Sequence, residues 1–190
     1  MIEIFWEGNS AIRIESKDLK LGINPKKSDD LNLILSTGKK SYKIGENQFL
    51  IDTPGEYEAK SAVVYAMVDE EGHKTKAMQI IFNEISMFYC DNLDFMPVDD
   101  QLDDMGTIDI AFIPMSVDKE KEKHIQKLAE AIEPRVIIPL AADDDTSAEA
   151  CSMLAKTLGL KCEPAIKSYK IKNRSILPDE EQLFVSLEKK

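Results

Sequence analysis

Apolar and polar residues alternate in the opening stretches 2–6 and 11–15, and Glu7-Gly8-Asn9-Ser10 supplies turn chemistry between them. A period of two predicts a pair of neighbouring strands. Residues 20–23 read as a third short strand, stopped by Asn24-Pro25, with the charged stretch 26–30 as a loop. The nearly continuous apolar run 31–35 has the pattern of a strand buried on both faces, and the polar segment Ser36-Thr37-Gly38-Lys39-Lys40-Ser41 leaves its end. A further run, Gln48-Phe49-Leu50-Ile51, meets Thr53-Pro54-Gly55. Proline presets its own φ and glycine tolerates a positive one, so a type II turn between two strands is expected there. Glu56 and Tyr57 stand at its mouth, where they are expected to tie neighbouring backbone.

The runs 62–68, 77–82 and 85–90 predict an antiparallel meander, joined by 69–74 and by Asn83-Glu84. Beyond it the period changes. Residues 99–105 read as a short acidic helix, 108–113 as a buried strand, and 118–132 as a helix with Ile125, Leu128, Ala129 and Ile132 on one face; 135–139 is a second buried strand. Thr146, with Glu149 three residues on, has the pattern of a capping box, and Gly159 is placed to end the helix it starts. Strands over 167–172 and 182–188 close the chain. Strands and a meander followed by strand and helix in alternation predict a sheet-rich α/β protein, with helices packed outside the sheets and Phe5 and Trp6 in the core. The length of 190 residues fits one domain spanning 1–190.

Charge narrows the functional classes. Lysine and arginine number 24 against 35 acidic residues, a net charge of −11, which repels phosphate backbones and anionic membrane surfaces. Neither nucleic acid nor membrane is an expected partner. The first residues carry acids where a signal peptide needs basic ones, and no apolar run approaches the ~20 residues that span a bilayer. Cys90, Cys151 and Cys162 are odd in number and lack C-x-x-C spacing. Reduced thiols in a soluble, cytoplasmic protein are the expectation.

Several segments, in order, resemble one family: Gly8-Asn9-Ser10, Asn24-Pro25, the buried strand ending in Leu35-Ser36, Ile51-Asp52-Thr53-Pro54-Gly55-Glu56-Tyr57-Glu58, and Pro134-Arg135-Val136-Ile137-Ile138-Pro139-Leu140. The chain resembles the metallo-β-lactamase superfamily, in its branch of small Zn-dependent-hydrolase-like proteins. The resemblance implies a four-layer αββα sandwich with any site at one edge between the sheets. It also implies metal ligands, and here the chain departs from the pattern. Asn9 stands where the branch has histidine, and Asn24 where it has aspartate. Thr37-Gly38-Lys39-Lys40-Ser41-Tyr42 replaces the H-x-H-x-D-H motif, Asn92 falls at the bridging aspartate with Asp91 beside it, and Ala141 takes the last histidine's place.

Zinc is held by imidazole, thiolate and carboxylate, and a catalytic site needs about three such ligands. The expectation is therefore a metal-free, catalytically inactive protein of this fold with a binding, scaffold or regulatory role, acting as a homo-oligomer or with a protein partner. Its vestigial pocket is expected at Asn9, Asn24, Thr37, Lys39, Lys40, Ser41, Tyr42 and Asn92. The lysines are expected to pair with acidic loops across it. His73 and His124 are expected to be solvated surface residues. The alternative is a hydrolase of a phosphate- or carboxylate-bearing substrate, with Lys39 and Lys40 holding the anion and Asp91 or Asp94 as acid or base. No cofactor is expected; Asp91, Asp94, Asp99, Asp100, Asp143, Asp144 and Asp145 are the residues that would attract Mg2+ or Ca2+.

Overall fold

A computed structural model describes residues 1–38, 40–68, 74–140 and 147–190, the side chains of 147–149 excepted. Thirteen strands are formed among the described residues. They are β1 (Ile2–Gly8), β2 (Ala11–Glu15), β3 (Lys20–Ile23), β4 (Leu33–Leu35), β5 (Phe49–Ile51), β6 (Gly55–Ala59), β7 (Ala62–Val68), β8 (Thr75–Phe82) and β9 (Ile85–Cys90), then β10 (Ile110–Pro114), β11 (Val136–Leu140), β12 (Tyr169–Ile171) and β13 (Leu183–Phe184). The helices are α1 (Asp99–Met105) between β9 and β10, α2 (Lys119–Ile132) between β10 and β11, and α3 (Ser147–Thr157) after β11.

The alternation read at the N-terminus is realised in β1, where every second residue from Ile2 is buried. Trp6 joins the core. Phe5, expected beside it, faces the other way, with the Lys190 ammonium 3.8 Å above its ring centre. Successive side chains of a strand leave opposite faces, so both aromatics could not enter one core.

Strands in the order β12-β1-β2-β3-β4-β5 make one mixed sheet, antiparallel as far as β3 and parallel beyond it. The second, also mixed, runs β13-β11-β10-β9-β8-β7-β6. Its β7 to β9 part is the expected antiparallel meander, which β6 extends by one strand, and its β9, β10, β11 and β13 half is parallel. One hydrophobic cluster joins Ile4, Ile12, Leu21 and Leu33 of the first sheet to Val64, Met78, Phe88 and Phe112 of the second. The result is an α/β sandwich.

Two local readings turn out differently. The corner at Pro54-Gly55 is no type II turn within one sheet: β5 is an edge of the first sheet and β6 an edge of the second, so the chain crosses between sheets there. Gly55 has φ 139°, well beyond the roughly +80° of a type II turn. Tyr57 does tie this corner, donating to the Thr53 carbonyl at 3.0 Å, while Glu56 is exposed. The tight hairpins lie elsewhere, at Lys60-Ser61 (φ 52° and 67°) and Asn83-Glu84 (φ 51° and 65°). Both central residues have positive φ, the backbone that matches strand twist in a two-residue loop.

The apolar stripe of α2 is buried as read, and Asp118 caps the helix by accepting from the backbone N–H groups of Glu120 (2.9 Å) and Lys121 (3.1 Å). Helix α2 packs on β10 and against α3. The cap assigned to Thr146 and Glu149 lies outside the described residues. Gly159 (φ 70°) follows the end of α3, its N–H donating to the Lys156 carbonyl at 3.1 Å. Among the described residues no helix is long and apolar enough to cross a membrane.

Topology decides where chemistry can gather. Because β9, β10 and β11 are parallel, their C-terminal ends deliver Asp91, Met115 and Leu140 to one edge of the second sheet. Parallel β3 and β4 deliver Asn24 and Ser36 to an edge of the first. The β1–β2 turn completes the rim.

Candidate functional site

A cavity of about 340 Å3 opens at this edge between the sheets. The turn residues Gly8, Asn9, Ser10 and Ala11 form one side, Asn24, Lys26 and Lys40 a second, and Asp91 with Leu93, Pro114, Met115 and Leu140 the rest. Its shape depends on unusual backbone at both asparagines: Asn9 has φ 53° and Asn24 φ 47°. Asparagine tolerates this left-handed region better than most side chains. The Trp6 indole N–H donates to the Asn9 carbonyl at 2.8 Å and so fixes the turn to the core. Gly8 (φ 93°) lies directly under Lys26, since a Cβ there would come within 2.7 Å of the ammonium nitrogen.

Asn24 organises the floor. It is 4% exposed, and its side-chain carbonyl accepts the Thr37 backbone N–H at 3.0 Å. A backbone N–H can only donate, so this bond fixes which end of the amide is which. The NH2 end then faces three acceptors, Thr37 Oγ1 (2.9 Å), the Tyr89 hydroxyl (2.9 Å) and Asp91 Oδ2 (3.0 Å). Directions propagate outward from there. Tyr89 donates to the Ser10 carbonyl at 2.6 Å, and the Thr37 hydroxyl donates to Asp91 Oδ2 at 3.3 Å. Burial, and next the nearby Asp91 carboxylate, push the Tyr89 phenol well above its ordinary value, so it stays a donor.

This donor set does not fit a zinc site. One carboxylate, two hydroxyls and an amide face one another, and the amide presents its N–H groups where a cation needs lone pairs. Among the described residues no group of three histidine, cysteine, aspartate or glutamate side chains stands together as metal ligands. Cys90, at the end of β9, is buried and donates to the Asn92 carbonyl at 3.2 Å.

The residues singled out in the sequence are only partly gathered. Asn9, Asn24, Lys40 and Asp91 line the cavity, and Thr37 lies beneath it. Ser41 and Tyr42 lie off the lining; Tyr42 donates to the Pro25 carbonyl at 3.2 Å, and burial, then Glu7, push its phenol up to about 12. Asn92, the position matching the family aspartate, turns aside to accept the Asp94 N–H at 3.0 Å, while Asp91 holds the place on the cavity. Asp94 is exposed on a separate cleft with Asp118, Lys121 and His124. His124 is half-buried and bonds the Phe95 carbonyl at 3.2 Å, so it is not the solvated histidine expected. Asp99 and Asp100 are exposed in the first turn of α1. Lys39, His73, Ala141, Asp143, Asp144 and Asp145 lie outside the described residues.

Among the described residues no ion pair joins Lys40 to an acidic side chain; it is exposed at the cavity mouth, and the Asp91 carboxylate below accepts from Asn24 and Thr37. Sequence reasoning missed Tyr89 and Lys26. Tyr89 carried a usable signal, because a hydroxyl inside an otherwise apolar, fully buried strand must find a partner.

No family model matches the chain, and no curated protein matches it by sequence. Solved structures do. A protein from Thermotoga maritima, described as a candidate Zn-dependent hydrolase of the metallo-β-lactamase superfamily, superposes with a TM-score of 0.74 at 14% identity over 98% of this chain and 99% of its own. Igni18, a metallo hydrolase from the archaeon Ignicoccus hospitalis, gives 0.61 at 11% identity over 90% and 99%. The metallo-β-lactamase fold protein YhfI from Bacillus subtilis gives 0.62 at 7% over 84% and 95%. At these identities the likeness lies in the backbone, and with two mixed sheets and the cavity at the edge between them, the chain has the metallo-β-lactamase fold.

Proposed function

We propose that this protein is a metal-independent, non-hydrolytic member of its fold that binds a ligand or partner at the cavity below Lys26 and Lys40. The observation that carries the reading is the Asn24 amide. Its two N–H groups face Thr37, Tyr89 and Asp91, at the position where the resemblance would set an aspartate. Buried polar groups must be satisfied, and here neighbouring side chains do it. Half-buried Leu93 with Pro114, Met115 and Leu140 gives the cavity an apolar wall, and two exposed ammonium groups face its mouth. An apolar body with an anionic head suits such a lining.

The test is elemental analysis of protein purified without chelator, together with calorimetric titration of Zn2+, Mg2+ and Ca2+. Binding of none is the expected result. Stoichiometric zinc, iron or manganese that survives dialysis overturns the proposal.

For the hydrolytic alternative, Asp91 accepts from Asn24 and Thr37, and Asp94 faces another cleft. Turnover of a phosphate or carboxylate ester that disappears in a Lys39→Ala, Asp91→Asn double variant would decide in its favour. We further place the protein in the cytoplasm as a homo-oligomer or with a protein partner. Among the described residues, edge strand β5, with Phe49 exposed, has a neighbouring strand on one side only, which leaves the other for another chain. Light scattering of the purified chain measures that state, and a strict monomer with no co-purifying protein counts against it.

A further inference from the structure

Two of the three cysteines meet outside the cavity lining. Cys151, one turn into α3, is 7% exposed, and its Sγ lies 3.1 Å from the Sγ of Cys162, which is exposed on the irregular segment after the helix. Ser186 Oγ closes the triangle, 3.0 Å from Cys151 Sγ and 3.8 Å from Cys162 Sγ. The segment bearing Ser186 is itself pinned, since its carbonyl accepts the Ile166 N–H at 3.0 Å.

A disulfide needs its sulfurs about 2.05 Å apart, roughly 1 Å closer than they stand. Residues 160–165 are without helix or strand and can supply that movement while α3 stays in place. We propose that Cys151 and Cys162 are a hydroperoxide-sensitive thiol pair that closes to a reversible intramolecular disulfide. Cys162 is on the solvent side and reacts first. Its thiolate attacks one peroxide oxygen, the S–O bond forms as the O–O bond breaks, and the departing hydroxide takes the thiol's proton as water. The Cys151 thiolate then attacks the sulfenic sulfur, the S–S bond forms, the S–O bond breaks, and a second water leaves. Two electrons pass from the thiols to the peroxide, so two thiols and one H2O2 give one disulfide and two waters. Burial pushes the Cys151 thiol up to about 11, which holds it back as the resolving partner. A dithiol reductant reverses the bond.

The full chain, reduced and desalted, is titrated with H2O2 at neutral pH; remaining thiols are then alkylated and the protein analysed by non-reducing mass spectrometry. The expected result is a monomer that, any alkyl group on the third cysteine apart, is lighter by two hydrogens, a cross-linked peptide pair joining residues 151 and 162, and full reversal by dithiothreitol. Cys162→Ser, at an exposed position that leaves the core intact, and Cys151→Ala each abolish the cross-link. Cys90→Ala, at a buried strand residue, retains it. Accumulation of Cys162 sulfinic acid without a cross-link, covalent dimers through Cys162, or a two-hydrogen loss that persists in Cys162→Ser overturns the proposal.

Discussion

Asn24 does three jobs at one position: it takes a left-handed backbone conformation, receives the Thr37 backbone N–H, and supplies the donors that satisfy Thr37, Tyr89 and Asp91. Asn24→Ala strands buried polar groups, and an unmade bond of that kind costs about 1–3 kcal/mol. Denaturant unfolding with an unchanged slope should show the loss; stability equal to the parent removes the network from the account. A second residue sets a pH response. Hydrogen bonding to Arg13 holds the Asp30 carboxyl down at about 2 against its ordinary 3.8. A carboxyl lowered in the folded state stabilises that state at pH values above 3.8, and the contribution fades as pH falls toward 2. Asp30→Asn lacks it. The stability gap between parent and variant should be constant near neutrality and close across that acidic window; a gap independent of pH contradicts the assignment. At this scale the departure from the H-x-H-x-D-H pattern was legible in the sequence by chemistry alone, because threonine, lysine and alanine offer no zinc ligand. The replacement network was not, because Tyr89 meets Asn24 across 65 positions of chain.

At the scale of elements, the Pro54-Gly55 corner shows what punctuation does and does not specify. Proline followed by glycine marks a sharp change of direction, and one occurs. Which sheet the next strand enters depends on its partner, and β6 pairs with β7 while β5 pairs with β4. Gly55 pays in conformation for that crossover, with φ 139°. Space is available for a methyl group, the nearest contact being 3.6 Å to Tyr57, so the obstacle is backbone strain. Gly55→Ala should therefore cost about 1–3 kcal/mol without a change of fold. Thermal unfolding monitored by circular dichroism checks it, and an unshifted melting temperature rules the strain out. The hairpins at Lys60-Ser61 and Asn83-Glu84 carry positive φ without glycine, and strand lengths on either side locate them better than their own residues do.

Across the whole molecule, one buried carboxylate fastens the far end of the parallel strands. Asp109 is 0% exposed; its Oδ2 accepts the Ser86 N–H at 2.9 Å, Arg174 donates to both oxygens at 3.0 Å, and Arg135 lies 3.6 Å away. These contacts hold the entry to β9, the entry to β11 and the C-terminal segment together. Asp109→Asn keeps the shape and removes the charge. Both arginines are partly exposed and regain water, so the loss should sit near the lower end for breaking a buried pair, about 3 kcal/mol. Chemical denaturation measures it, and a cost under the level of an ordinary surface substitution refutes the tie. Most strand and helix identities, the meander, the shift to alternating strand and helix, and the departures from the family's ligand pattern were written in local pattern and residue chemistry. Each follows from a period of two or near four, or from what a single side chain can bind. Sheet membership at the Pro54-Gly55 corner, Asp91 on the cavity in place of Asn92, the separation of Asp94 from it, and the meeting of Cys151 with Cys162 and Ser186 were decided by tertiary structure. They depend on pairings between distant strands, whose register turns each side chain toward the cavity or away from it.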